Sequence, residues 1–109
     1  MINQLRIYEI FGNTRTEFLD RFRDHASRIM ARHGVQILSM WTTTQNGNPA
    51  FAYLLAWQDV GAQQAGWAAF MADTEWQAVK AARGPDASPI VGQITDLSLD
   101  PVAFSQALS

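Results

Sequence analysis

The chain has 109 residues, the usual size of one domain and too few for two, so we predict a single domain over residues 1–109. Hydrophobic residues make up 48% of the chain and charged residues 17%, a balance that indicates a packed core and excludes an intrinsically disordered protein. The formal net charge is −2, the Lys and Arg residues are scattered and cysteine is absent, which argues against nucleic-acid partners, disulfides and thiolate metal sites.

The first half of the sequence predicts a strand, a helix and a second strand. Residues 2–11 are rich in β-branched and aromatic side chains and end at a Gly-Asn pair, which is typical of a strand. Apolar side chains then recur at helical spacing up to about Arg32, where a His-Gly pair supplies a helix stop. A second strand is expected over residues 35–45.

The second half predicts a hairpin, a helix and a final strand. An Asn-Gly pair between two apolar runs favours a tight turn into a third strand over residues 50–57. Asp59 is a suitable N-cap for a helix over residues 61–82, and a polar stretch near its middle leaves two shorter helices as the alternative. The fourth strand is expected over residues 90–99.

The element order βαββαβ predicts an α+β fold of ferredoxin-like topology, with a four-stranded antiparallel sheet and two helices on one face. The third strand is apolar on both of its alternating sides, with Phe51, Tyr53, Leu55 and Trp57 on one and Ala52, Leu54 and Ala56 on the other. Strands buried on both faces have this composition. We therefore expect a homodimer in which two open sheet faces meet and enclose an aromatic-lined space.

Several motifs, taken in this order, resemble those of the NIPSNAP family. They are Leu5-Arg6-Ile7-Tyr8, His33-Gly34 before the strand with Trp41, Tyr53-Leu54-Leu55-Ala56-Trp57-Gln58-Asp59, Ala65-Gly66-Trp67-Ala68-Ala69-Phe70 and Asp73-Thr74-Glu75-Trp76. The resemblance spans residues 2–99 and implies the dimeric α+β barrel superfamily, and with it the homodimer. That superfamily includes cofactor-free monooxygenases, isomerases, haem-dependent enzymes and members with no known reaction, so the resemblance leaves the activity open.

Five side chains are the candidates for binding a ligand: Arg6, Tyr8, Trp41, Tyr53 and Trp57. Arg6 and Tyr8 share a strand face and are predicted to point into the barrel, where Arg6 would hold an anionic group and Tyr8 would donate a hydrogen bond. The alternative for Arg6, which we favour, is an ion pair with Glu9 or Asp96, or a side chain that reaches the rim. The aromatic side chains are either core and interface anchors or the walls of a pocket.

The two histidines are best explained by structural roles. His25 and His33 are eight residues apart on one helix, whereas a helical metal pair is usually three or four residues apart. We accordingly predict no metal and no organic cofactor.

The leading hypothesis is a homodimer whose barrel cavity binds a small, largely apolar molecule. A cofactor-independent monooxygenase or isomerase-like enzyme is the first alternative, and a purely structural dimer with a filled interior is the second. The sequence lacks a signal-peptide start and any apolar run of bilayer length, so we expect a cytoplasmic protein without a membrane partner.

Overall fold

The computed structural model describes residues 1–106, so residues 107–109 of the predicted domain lie outside its described part. The observed helices and strands follow the predicted order. They are β1 (Ile2–Ile10), a 3-10 turn (Gly12–Thr14), α1 (Arg15–Arg21), a π-helical turn (Phe22–Ala26), α2 (Ser27–Arg32), β2 (Gln36–Gln45), β3 (Asn48–Trp57), α3 (Val60–Ala72), α4 (Thr74–Ala81) and β4 (Val91–Leu99). The four strands form one antiparallel sheet in the order β2-β3-β1-β4. The predicted ferredoxin-like α+β fold is confirmed.

The ends of the helices follow from local chemistry. Gly34 lies just beyond α2 at φ +81°, a conformation that glycine adopts without strain. The Asp59 carboxylate caps α3 by accepting from the Ala62 backbone N–H at 2.8 Å, as predicted. Asp73 ends α3 and caps α4 through the Trp76 backbone N–H at 3.0 Å, so the predicted second helix is two helices. No helix among the described residues combines the length and the hydrophobicity needed to cross a bilayer.

A bulge in β2 changes which of its side chains face the helices. Ile37 is paired with Leu55 and Ser39 with Leu54, so two steps along β2 match one step along β3. An extra residue of this kind reverses the alternation of side chains in the rest of the strand. Trp41 therefore lies on the face of the sheet turned away from the helices.

The helices cover one face of the sheet and leave the other open. The helix-covered face carries the aromatic and polar side chains of the central strands: Gln4, Arg6, Tyr8, Phe51, Tyr53, Leu55 and Trp57. The open face carries mainly aliphatic side chains and one tryptophan: Leu5, Ile7, Trp41, Ala52, Leu54, Leu97 and Leu99.

Candidate functional site

A cavity of about 350 Å³ lies between the helix-covered face and the helices. Strands β1 and β4 supply its floor, α1 and the π-helical turn supply one wall, and α3 and α4 supply the other. Its walls are mainly aromatic, with Phe18, Phe22, Trp67, Phe70 and Trp76. Its charged lining is cationic: Arg6, Arg21 and Lys80. Mostly apolar walls with a few polar groups are the usual composition of a small-molecule site.

The π-helical turn brings two residues to this cavity. Phe22 begins the turn and Ala26 ends it, and both line the cavity. Phe22 packs against Phe51 and Tyr53 of β3, with ring centroids 4.7 Å and 5.2 Å away. A π turn widens the helix locally and is frequent at functional sites. The small Ala26 side chain leaves open space that a larger residue would fill.

Two tyrosines meet on the helix-covered face. The hydroxyl oxygens of Tyr8 and Tyr53 are 2.5 Å apart, and their rings make an edge-to-face contact. Tyr8 lines the cavity, whereas Tyr53 is 0% exposed behind it. Burial, followed by the neighbouring Tyr8, raises the pKa of Tyr53 far above its ordinary value, so its hydroxyl keeps its proton.

Arg6 lies on the cavity floor beside Tyr8. Its Nη1 donates to Asp96 Oδ2 at 3.2 Å, which confirms the Asp96 pairing predicted for this arginine. Its guanidinium carbon lies 4.6 Å from the Trp67 ring centroid and 5.3 Å from that of Tyr8. Burial lowers the pKa of Arg6, but the neighbouring tyrosines and Asp96 more than offset this and raise it, so the guanidinium remains charged.

Gln4 holds the surroundings of Arg6 in place. Its Oε1 accepts from the indole N–H groups of Trp57 and Trp67, both at 2.9 Å, and its Nε2 donates to Asp96 Oδ1 at 2.7 Å. Gln4 is 3% exposed, so these partners replace the water that its amide loses on folding. The network connects the floor of the cavity to Trp67 of α3.

Two further cations lie along the helices. The guanidinium carbon of Arg21 is 4.9 Å from the Trp76 ring centroid, and Lys80 Nζ is 5.9 Å from the same centroid. Burial, followed by repulsion from Arg83, lowers the pKa of Arg21. Positive side chains thus approach the cavity from both floor and wall, and Asp96 offsets part of the charge of Arg6 at the floor.

The structure separates the five predicted site residues. Arg6 and Tyr8 line the cavity, but they face the helices of their own chain and not the open face, where we had placed them. Tyr53 and Trp57 lie behind the cavity in the core. Trp41 lies on the opposite face, 50% exposed, and does not share a site with the other four.

Sequence reasoning missed several residues of this site. Gln4 alternates with Arg6 and Tyr8, which places it on the same face, but nothing local shows that both tryptophans reach it. Arg21 was missed because helical spacing does not distinguish a solvated cation from one that lies over an aromatic ring. The aromatic run of α3 was the available signal for Trp67 and Phe70.

Neither of the two histidines lines the cavity. His33 Nε2 is 2.7 Å from Asp73 Oδ2, so it connects the end of α2 to the junction of α3 and α4. His25 lies in the π-helical turn and does not line the cavity. Within residues 1–106, no group of three or more His, Cys, Asp or Glu side chains is arranged to hold a metal ion.

Comparisons with known proteins agree with this architecture. The sequence model of the NIPSNAP family matches residues 3–106. A solved structure of an uncharacterized NIPSNAP domain protein from Burkholderia xenovorans is similar, with 22% identity and a TM-score of 0.80 over 98% of this chain and 100% of that chain. A NIPSNAP family protein from Agrobacterium tumefaciens has 19% identity and a TM-score of 0.80, covering 95% of each chain.

A more distant likeness is to a haem-degrading protein from Mycobacterium tuberculosis, solved with two haems in its active site. It has 20% identity and a TM-score of 0.53, over 98% of this chain and 100% of that chain. No functionally curated protein matches the sequence. At such identities the likeness to solved structures establishes the fold alone.

Proposed function

The chain belongs to the NIPSNAP family, and from that premise we propose that it binds a small, largely apolar molecule in the cavity between its sheet and its helices. The observation that carries the proposal is the cavity itself: about 350 Å³ of space bounded by aromatic side chains and three cations. Ligand sites have this size and this lining.

Polar groups that converge on the cavity favour a ligand site over a merely imperfect core. Arg6 and Tyr8 reach it from β1, and Trp67 reaches it from α3. The Gln4 network fixes the last of these and Asp96 fixes Arg6. Such prior ordering reduces the entropy that a ligand must overcome on binding.

The proposal includes a homodimer formed through the open face, and a cytoplasmic location. Leu97, Leu99 and Trp41 are 47%, 40% and 50% exposed in the single chain, and Leu5, Ile7 and Leu54 lie between them. A contiguous apolar surface of this kind is typical of an interface between proteins. A second copy is the simplest partner, because identical sheet faces can pair about a two-fold axis. Light scattering of the purified protein would test this with a dimer mass.

Filling the cavity tests the ligand proposal. In Ala26→Leu the larger side chain would occupy space next to Phe22, whereas Ala31→Leu makes the same change at an exposed position of α2. We expect an uncharged apolar dye, N-phenyl-naphthylamine, to bind the wild type and Ala31→Leu equally. Ala26→Leu should bind it at least about tenfold more weakly, because contact volume is lost.

Unfolding curves would show that both variants keep their fold. Equal dye binding by Ala26→Leu and the wild type, or no binding by the wild type, would contradict the proposal.

A further inference from the structure

The hydrogen bond between Tyr8 and Tyr53 leaves one of their two hydroxyl hydrogens without an acceptor. Two hydroxyl groups carry two hydrogens, and the contact between Tyr8 and Tyr53 at 2.5 Å uses one of them. Among residues 1–106 no acceptor other than the partner hydroxyl is hydrogen-bonded to either group, and the Arg6 guanidinium beside Tyr8 can only donate. One O–H group of the pair is therefore left to donate to something outside it.

The difference in burial between Tyr8 and Tyr53 determines which of them carries the free O–H group. If Tyr8 donated to Tyr53, the hydrogen of Tyr53 would be left without an acceptor at a position that is 0% exposed, which is costly. If Tyr53 donates to Tyr8, the remaining hydrogen belongs to Tyr8, which lines the cavity. The favourable arrangement thus makes Tyr8 a donor towards the cavity and uses one of its oxygen lone pairs internally.

Arg6 adds a second set of donors beside it. Its guanidinium carries five N–H groups and no acceptor. Its Nη1 donates to Asp96 and its Nε is buried, so the donors left for a ligand are the remaining N–H groups of Nη1 and Nη2. The cavity floor consequently presents donors from two neighbouring residues, and the charged groups along the walls, Arg21 and Lys80, are cationic as well.

We propose that the molecule bound in this cavity carries a carboxylate, recognised by Arg6 and by the Tyr8 hydroxyl that Tyr53 orients, with its aromatic or aliphatic body against the cavity walls. This inference rests on the proposed function and narrows it to apolar carboxylic acids. A carboxylate offers acceptors alone and one negative charge, which matches donors and cations. An alcohol or an amine carries a hydrogen-bond donor, and Arg6 and the Tyr8 hydroxyl have little capacity to accept from it.

The test compares three ligands that share one apolar body: naphthoate, naphthyl methanol and naphthyl methylamine. Calorimetry on the wild type is expected to give naphthoate an affinity roughly ten- to a hundredfold above that of the alcohol, the range for a hydrogen bond to a charged group. The amine should bind more weakly than the alcohol, because the lining is positive.

Variants distinguish specific recognition by Arg6 and Tyr8 from the general positive potential of the cavity. Tyr8→Phe and Arg6→Met should each lower naphthoate affinity about tenfold and leave the alcohol nearly unchanged. Arg6→Lys keeps the charge and should restore part of the loss. Arg15→Met removes the same charge at an exposed residue that does not line the cavity, and should change neither ligand.

Tyr53→Phe tests the orientation of Tyr8. It leaves the cavity lining intact but frees the Tyr8 oxygen to accept, so the alcohol should bind several-fold better and the preference for naphthoate should narrow. An unchanged preference in this variant would overturn the role of Tyr53.

The outcomes distinguish this inference from the proposed function. Equal affinities for naphthoate and the alcohol in the wild type would overturn the carboxylate and leave the apolar site standing. If Arg15→Met weakens naphthoate as much as Arg6→Met does, general charge and not recognition explains the preference, and the inference is wrong. No binding by any of the three ligands would overturn both.

Discussion

The two faces of the sheet are built from alternate residues of the same strands, yet they differ in kind. On the helix-covered face, Gln4 satisfies two indole N–H groups and one carboxylate, and Arg6 and Tyr8 border a cavity. On the open face, Leu5 and Ile7 alternate with these residues and contribute no polar group. The helix-covered face carries ordered polar side chains, whereas the open face is mainly apolar.

From this difference we infer separate roles for the two faces. Apolar area is non-directional and suits association, because any well-fitting partner gains from its burial. Arranged donors suit recognition, because a ligand that leaves them unpaired loses affinity. Changes on the open face should therefore alter assembly and spare the fold, whereas changes on the helix-covered face should alter stability or binding.

The largest effect is expected from a charge on the open face. Leu97→Glu places a carboxylate in the proposed interface, and burying it without a partner costs several kcal/mol. The dissociation constant of the dimer should rise by about a hundredfold or more. Because Leu97 is 47% exposed in the single chain, the monomer should keep its fold. Sedimentation equilibrium over a range of concentrations measures the change.

Val60→Glu is the matched control for that experiment. Val60 is 54% exposed at the start of α3, outside the open face, so the dimer should be unaffected. A Leu97→Glu protein that remains as dimeric as Val60→Glu would show that the open face is not the interface.

The sequence predicted the elements and their order, because periodicity and turn chemistry are local. The Asn-Gly hairpin, the Asp59 cap and the stop at Gly34 all lie where their residue types place them. The pairing of Arg6 with Asp96 was also predictable, because it follows from strand order.

The sequence did not show which side chains of the strands face the helices and which lie on the open face. Both alternating sets of β3 are apolar, so alternation alone does not say which set meets the helices. The bulge before Ser39 and the π-helical turn Phe22–Ala26 each add one residue to a regular period, and neither has a sequence signature. The contacts of Gln4 with Trp57 and Trp67 join residues more than fifty positions apart.

A smaller effect is expected from a methyl group on the helix-covered side. A Cβ at Gly66 would lie 2.6 Å from the Trp57 ring, which is 3% exposed and hydrogen-bonded to Gln4. Overpacking of this kind costs about 1–3 kcal/mol, and the better helix propensity of alanine offsets roughly 0.5–1 kcal/mol of it. Gly66→Ala should therefore lower the free energy of unfolding by about 0.5–2 kcal/mol. Urea unfolding measures it.

Gly12→Ala serves as the comparison, because a Cβ there meets nothing within 4 Å. It should leave the free energy of unfolding nearly unchanged. If Gly66→Ala were equally neutral, α3 would not press on Trp57 as closely as the structure indicates.

The smallest effect is expected from acid, which should destabilise the helices that cover the cavity. The hydrogen bond from His33, followed by that from the Trp76 backbone N–H, lowers the pKa of Asp73 from 3.8 to about 2. A carboxyl group whose pKa is lower in the folded state stabilises the fold above its unfolded pKa and loses this contribution as pH falls through its folded pKa. Stability should thus decline between about pH 5 and pH 2.

Asp73→Asn separates this carboxylate from its neighbours. Asparagine can still cap α4 but does not titrate, so the decline should become shallower. Glu75 would supply the remainder, because Arg28 and then Arg32 lower its pKa from 4.5 to about 2. Amide exchange should show the loss first in α4 and not in β1. An unchanged pH profile in Asp73→Asn would show that this carboxylate does not contribute to the loss of stability in acid.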